Sequence, residues 1–285
     1  MTPKELAHRL VDEFETFNSP GVWTFLRHSV VLQQMRDRID DPNLVNQGGV
    51  GLCGPAAFLR NLLIDDPVLY ALVGRDLYQR AAAHLTRGHD NHGGVFLQPD
   101  KDLLGYQIPT DAVSKDLVIP QADWMILASI RQSCRHWFWQ HHFYQAKGDE
   151  GGTSADQMID IFKDMGYSKV VNATGRNNAH KWFAAYAAGT YVNAGYHVTM
   201  MIDANLLVPL MQYVSNEIPL HWVDLATPIG GTAAALSFKI WTWGYKQLVS
   251  IPVPGGGPNL PTDSLGNLSS DAFLKYFYGF VAAKY

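Results

Sequence analysis

Gln47-Gly48-Gly49-Val50-Gly51-Leu52-Cys53-Gly54-Pro55-Ala56-Ala57-Phe58 is the stretch from which the rest of the chain is read. A glycine-rich loop delivers a cysteine into a run of helical character, Ala56 to Leu63. A thiol at a helix N-terminus lies at the positive end of the helix dipole, which favours thiolate. The glycines at 48, 49, 51 and 54 let backbone approach a substrate and expose amide N–H groups. Gln47 lies six positions before Cys53 (53 − 47), where its side-chain amide could donate to an oxyanion beside the sulfur. The bland alternative is a buried cysteine packing as a small hydrophobe at a helix start.

At 285 residues the chain can bury a large core, as one domain or one domain with a helical subdomain. A net charge of −4 leaves no basic footprint for nucleic acid. No apolar run is long enough for stable membrane insertion. The polar start, Met1 to Leu10, lacks the apolar core of a cleavable signal. Two cysteines, Cys53 and Cys134, are too few for a disulfide framework, so a protein made and kept reduced in a cytoplasm is expected.

Along the chain, apolar spacing predicts helices over 3–17 and 22–39, with a turn cluster at Asp40-Asp41-Pro42-Asn43. The Cys53 helix is expected to stop near Ile64, where Asp66 before Pro67 reads as the cap of a helix over 67–85. An irregular connection over 86–110 follows, then a long helical region over 119–146 containing Cys134, a turn over 147–153 and a helix over 154–165. Strand character begins at 169–172 and returns at 196–204, 220–225, 237–243 and 247–253, with a helix at 177–188. A proline- and glycine-rich loop spans 252–261, and 271–283 reads as a C-terminal helix. Helices first and strands second argue for an α+β fold, a helical half over about 1–165 and a β-rich half over about 166–285.

A nucleophilic thiol needs a base, and eleven histidines compete. His221 is preferred because it starts the strand His-Trp-Val-Asp-Leu, and a histidine at a strand's start lies at the mouth of a sheet. Gly88-His89-Asp90-Asn91-His92 is read as solvated loop, since no second cluster with ligand spacing accompanies it, and no metal is expected. His136, His141 and His142 read as packing residues, and Asp123 with Arg131 as a buried pair within the helical layer.

The blocks around Cys53 and His221 resemble those of papain-like cysteine peptidases. Gln47, Gly48, Gly51, Cys53, Ala57 and Phe58 fall at the family's spacings, although the family's aromatic after the nucleophile is Gly54 here and its loop cysteine is Val50. His197 to Ala204 is similar to the family strand of the type Pro-Val-Ser-Val-Ala-Ile-Asp-Ala, and Trp243-Gly244 match the end of Ile-Lys-Asn-Ser-Trp-Gly. His221 lies 168 positions after Cys53 (221 − 53). The asparagine that the family places two residues before the tryptophan is Trp241, which cannot accept from an imidazole N–H. Thr242 could, given a register shifted by one, whereas Asp224, three residues along the strand, falls on the face opposite His221. Either the site is a dyad or a third member comes from Thr242, Asp224 or elsewhere.

The resemblance implies a single papain-like domain over 1–285, with its N-terminal helical layer packed on a C-terminal antiparallel sheet. It also implies a cofactor-free cysteine hydrolase acting on an amide bond, as a peptidase or glutamine deamidase. Cys53 would be nucleophile, His221 base and acid, and Gln47 the oxyanion donor. The missing disulfide and Gly54 make the chain more similar to bacterial papain-like effector and toxin domains than to lysosomal peptidases. That implies a protein or peptide substrate, export by a specialised secretion system without a cleavable signal, and a delivery, immunity or chaperone partner. The alternatives are a catalytically inactive papain-like binding module and a cell-wall peptide amidase.

Overall fold

The structure, a computed structural model, describes residues 1–17, 20–48, 50–86, 94–110, 116–133, 153–175, 178–207, 220–243, 245, 247–252 and 265–285. It is α+β, and its residues sort into two compact units, 1–153 with 164–166, and 154–163 with 167–285.

The first unit is mainly helical. Helix α1 (Pro3–Glu15) opens on a capping box: the Glu5 amide donates to Thr2 Oγ1 and the Thr2 amide to the Glu5 carboxylate. Helix α2 (His28–Asp40) ends before a short 3₁₀ turn, Pro42–Leu44. Helix α3 (Cys53–Asp65) buries ten of its side chains or glycines and is apolar nearly all round, as a helix at the centre of a bundle must be. Asp66 caps α4 (Pro67–Arg80) through the Leu69 amide at 2.9 Å, so the aspartate–proline signal is read correctly. That helix stops at Arg80, short of the expected 85. Ala83–Leu85 (β1) instead pairs antiparallel with Val95–Leu97 (β2), and a short helix α5 (Lys101–Leu104) follows, both within the stretches read as helix end and irregular connection. Helix α6 (Gln121–Ser133) packs against α2, α3 and α4. The rest of the expected 119–146 helix, Cys134, the turn over 147–152 and the histidines at 89, 92, 136, 141 and 142 lie outside the described residues.

The second unit begins with α7 (Ala155–Asp164) and is built on an antiparallel sheet. Its strands are β3 (Lys169–Thr174), β4 (His197–Asp203), β5 (Leu220–Leu225), β6 (Gly230–Thr232), β7 (Ala235–Trp241), β8 (Val249–Ile251) and β9 (Phe277–Lys284). The order is β3-β9-β4-β5-β7-β6, with β8 also on β7. Helix α8 (Asn178–Asn193) packs on β4 and β9, and its Ala184 and Ala188 join Val198, Met200, Ile202, Val223, Leu225 and Phe280 in one core.

The C-terminal segment departs from the sequence reading. Only Ser270–Tyr276 is helical (α9), and residues 277–284 form a central strand between β3 and β4. Gly279 marks the change. It has φ of +106°, and a Cβ there would lie 2.2 Å from the Ala173 carbonyl oxygen on β3, so this close approach requires glycine.

Candidate active site

Cys53 is the first residue of α3, as the glycine loop implied, and is 5 % exposed. Leu52 at the cap position supplies no side-chain acceptor, so the N-cap residue itself does not quench the helix's positive end. Gly54 packs against Thr153: a Cβ there would lie 2.4 Å from Thr153 Oγ1. The departure from an aromatic at this position therefore has a physical cause, because Thr153 fills the space.

Gln47 is buried, and its Oε1 has no hydrogen-bond partner among the described residues. The residues on either side of it are fixed. The Asn46 amide donates to Asp123 Oδ2 at 3.0 Å, and the Gly48 amide donates to Asn46 Oδ1 at 2.8 Å. Gly48 has φ of +60°, and a Cβ there would collide with the Val118 carbonyl oxygen at 1.8 Å. Asp123 is in turn held by Arg38 through two bonds, Nε to Oδ1 at 3.0 Å and Nη2 to Oδ2 at 2.7 Å. Arg38, from α2, thus takes the place that the sequence reading gave to Arg131. Spacing along one helix could not show this pair, since the two residues sit on different helices.

In the second unit His221, 3 % exposed, is the second residue of β5, opposite Ile202 and one past the Leu220–Asp203 pair, so Leu220 and not the histidine starts the strand. Its Nε2 lies 2.9 Å from Thr242 Oγ1, and its Nδ1 accepts from Trp243 Nε1 at 3.4 Å. An indole N–H can only donate, so Nδ1 is the bare nitrogen and Nε2–H donates to Thr242. The Trp243 ring meets the imidazole edge-on at 5.7 Å and 86°. Burial strips the imidazolium of its hydration and lowers the pKa of His221 to about 3, so the ring is neutral.

The register explains why Thr242, and not Trp241 or Asp224, meets Nε2 of the ring. Asp224 pairs with Trp241 and Leu225 with Ile240, and the described β5–β7 pairing ends there. Continuing that register sets Thr242 opposite Val223, on the face shared by His221. Trp241 and Asp224 face the other way, where the Thr199 hydroxyl donates to Asp224 Oδ1 at 2.7 Å. Of the two candidate third members, Thr242 is brought to His221 and Asp224 is engaged by Thr199. Gly244 lies outside the described residues.

Asn46, Asp123 with Arg38, and Thr153 escaped the sequence reading. The Asn-x-Gly turn before the cysteine was the one available local signal; the other contacts are long-range. Among the described residues no cluster of histidine, cysteine and carboxylates could hold a metal ion, and no helix is long and apolar enough to cross a membrane. No protein-family model matches the chain, and neither a search of curated proteins nor one of solved structures finds a match.

Proposed function

We propose that the chain is a cysteine-dependent amide hydrolase of papain-like design, with Cys53 as nucleophile and His221 as base and acid. The observation that carries this reading is the imidazole of His221, held in one tautomer by Thr242 and backed by Trp243. An unprotonated imidazole nitrogen, with the other nitrogen anchored, is what a thiol nucleophile requires of its base. In the proposed reaction His221 Nδ1 takes the thiol proton and Sγ bonds to the carbonyl carbon. The negative charge moves to the carbonyl oxygen, where Gln47 Nε2 and the Cys53 amide donate to it. Collapse expels the amine, which receives the proton from His221, and water then releases the acyl group by the reverse path. Trp243 must yield Nδ1 before the first step. A peptide bond, a glutamine side chain and a cell-wall cross-link all fit this chemistry. The likeness to effector and toxin domains favours a protein substrate met in another cell.

A second reading, a catalytically inactive binding module of the same design, is favoured by one observation: both reactive residues are buried, Cys53 at 5 % and His221 at 3 % exposure. The two readings separate on turnover. Wild type and Cys53→Ala are compared on peptidyl amides, glutaminyl peptides (by ammonia release) and muropeptides. Hydrolysis that depends on Cys53, with iodoacetamide labelling faster at Cys53 than at Cys134, is the expected outcome. No Cys53-dependent turnover together with equal labelling rates would leave the binding module.

A further inference from the structure

We propose that Asp123, clamped by Arg38, is a positioning residue that sets the oxyanion donor Gln47 through the Asn46 turn, an inference that rests on the hydrolase reading above. The starting point is how many bonds one carboxylate accepts. Asp123, fully buried on α6, takes two from Arg38 and a third, at 3.0 Å, from the Asn46 amide. That amide belongs to the residue directly before Gln47. The residue directly after it, Gly48, gives its own amide to the Asn46 side chain at 2.8 Å. The backbone on both sides of Gln47 is therefore tied to one carboxylate, directly on one side and through one side chain on the other.

A second contact with the same wall reinforces this. Gly48 adopts φ of +60° because its backbone lies against the Val118 carbonyl, in the segment that leads into α6. Residues 118 and 123 thus support the loop at two points. The flanking Val45 and Leu52 are both fully buried, which fixes the loop's two ends in apolar surroundings. The Gln47 Oε1 has no partner among the described residues. The aim of the carboxamide therefore depends on the backbone that carries it.

A purely structural role is the competing explanation, with the ion pair as a tie between α2 and α6. A tie needs only the two Arg38–Asp123 bonds, and a buried ion pair is a poor stabiliser: an apolar pair of similar volume often serves as well or better. The third bond, to Asn46, is the one such a tie does not use. Arg38 also donates to the Gln34 carbonyl at 3.3 Å, so its guanidinium is itself fixed before it meets Asp123. The order of dependence runs from α2 to Arg38, to Asp123, to Asn46, and so to Gln47.

The test uses the double variant Arg38→Met/Asp123→Leu, which removes both charges and the acceptor of the Asn46 amide, and the single variant Asn46→Ala. Hydrolysis of a fluorogenic peptidyl amide is followed for each, alone and combined with Gln47→Ala, with amide hydrogen exchange read at Asn46 and Gly48. Misplacing a donor by about an ångström predicts kcat lower by roughly ten- to a hundred-fold with KM held within about threefold. Exchange at Gly48 should accelerate in both variants, and Asn46→Asp, which keeps the acceptor, should restore kcat. In the Gln47→Ala background neither change should lower kcat further, because the donor being positioned is already gone. Losses of the same size in that background would overturn the inference, as would a folded double variant with full activity. If the double variant does not fold, Asp123→Asn, which weakens the acceptor of the Asn46 amide without changing the side chain's size, decides on the same kcat and Gly48-exchange readouts. A wild-type protein that hydrolyses no amide would overturn the hydrolase reading and this role with it, whereas turnover with additive losses overturns only the role of Asp123.

Discussion

Thr242→Val is the sharpest probe of the histidine. Valine keeps the shape of threonine and replaces Oγ1 with a methyl group, so the change removes a hydrogen bond and leaves the packing. Both partners are buried, Thr242 at 1 % and His221 at 3 % exposure, and the bond is 2.9 Å long. Its loss strands Nε2–H away from water, which costs about 1–3 kcal/mol. For a chain of this size that lowers Tm by about 2–12 °C. The stranded donor also removes the reason for one tautomer, since Trp243 at 3.4 Å is the weaker of the two contacts. The proton can then move to Nδ1, the nitrogen that accepts from the thiol in the proposed reaction. If the whole loss appears in the transition state, turnover falls by roughly five- to a hundred-fold. Thermal melting gives the first quantity, and the ring nitrogens' ¹⁵N shifts report the tautomer. Thr242→Ser should restore both. A Thr242→Val protein that melts within about 1 °C of wild type with an unchanged imidazole spectrum would refute the assignment of this bond as the anchor.

Two further outcomes follow from the described geometry. The folded protein keeps His221 neutral down to about pH 3, whereas the unfolded chain takes up its proton near the ordinary histidine value. Stability from this residue is therefore full above about pH 6.5 and is lost as pH falls towards 3; near pH 4.5 the loss is roughly 2–3 kcal/mol. Denaturant titrations of wild type and His221→Gln should converge as pH falls, and parallel curves would show that burial does not hold the ring neutral. Gly48→Ala adds a Cβ that meets backbone and demands a positive φ, so a loss of about 2–4 kcal/mol is expected. A melt unchanged from wild type would mean that residues 46–48 do not lie against Val118.

Much of the first unit was legible because its signals are local. The Asp66–Pro67 boundary, the turn at 40–43 and the start of α3 at Cys53 are set by residues next to the feature they specify. Strand β5 was legible to its ends, since β-formers fill it and helical spacing does not compete. Phe277 to Lys284 was misread for the opposite reason. A strand buried on both faces loses the polar alternation that distinguishes it from a buried helix, and six of its eight residues are buried. Gly279 was the local clue. Strands β1 and β2, at three residues each, are too short to carry a period. Cys53, Gln47 and His221 are candidates that the sequence alone proposes, whereas the choice of Thr242 over Asp224 as the partner of His221 depends on the β5–β7 register, a pairing across the sheet. The Arg38–Asp123 pair joins two helices and leaves no trace in either one alone.

The central place of β9 governs the order in which the sheet can be assembled on a ribosome. Strand β4 can pair with β5, and β7 with β8, as soon as those hairpins emerge. Strand β3 pairs with β9 alone among the described strands, with Lys169 opposite Lys284, and β4 keeps one edge open until the same strand arrives. At ordinary elongation rates that edge waits for seconds, with its row of N–H and C=O groups unsatisfied by protein. Any extended segment offered during that interval, from a chaperone or from another nascent copy, would dock where Phe277–Lys284 belongs.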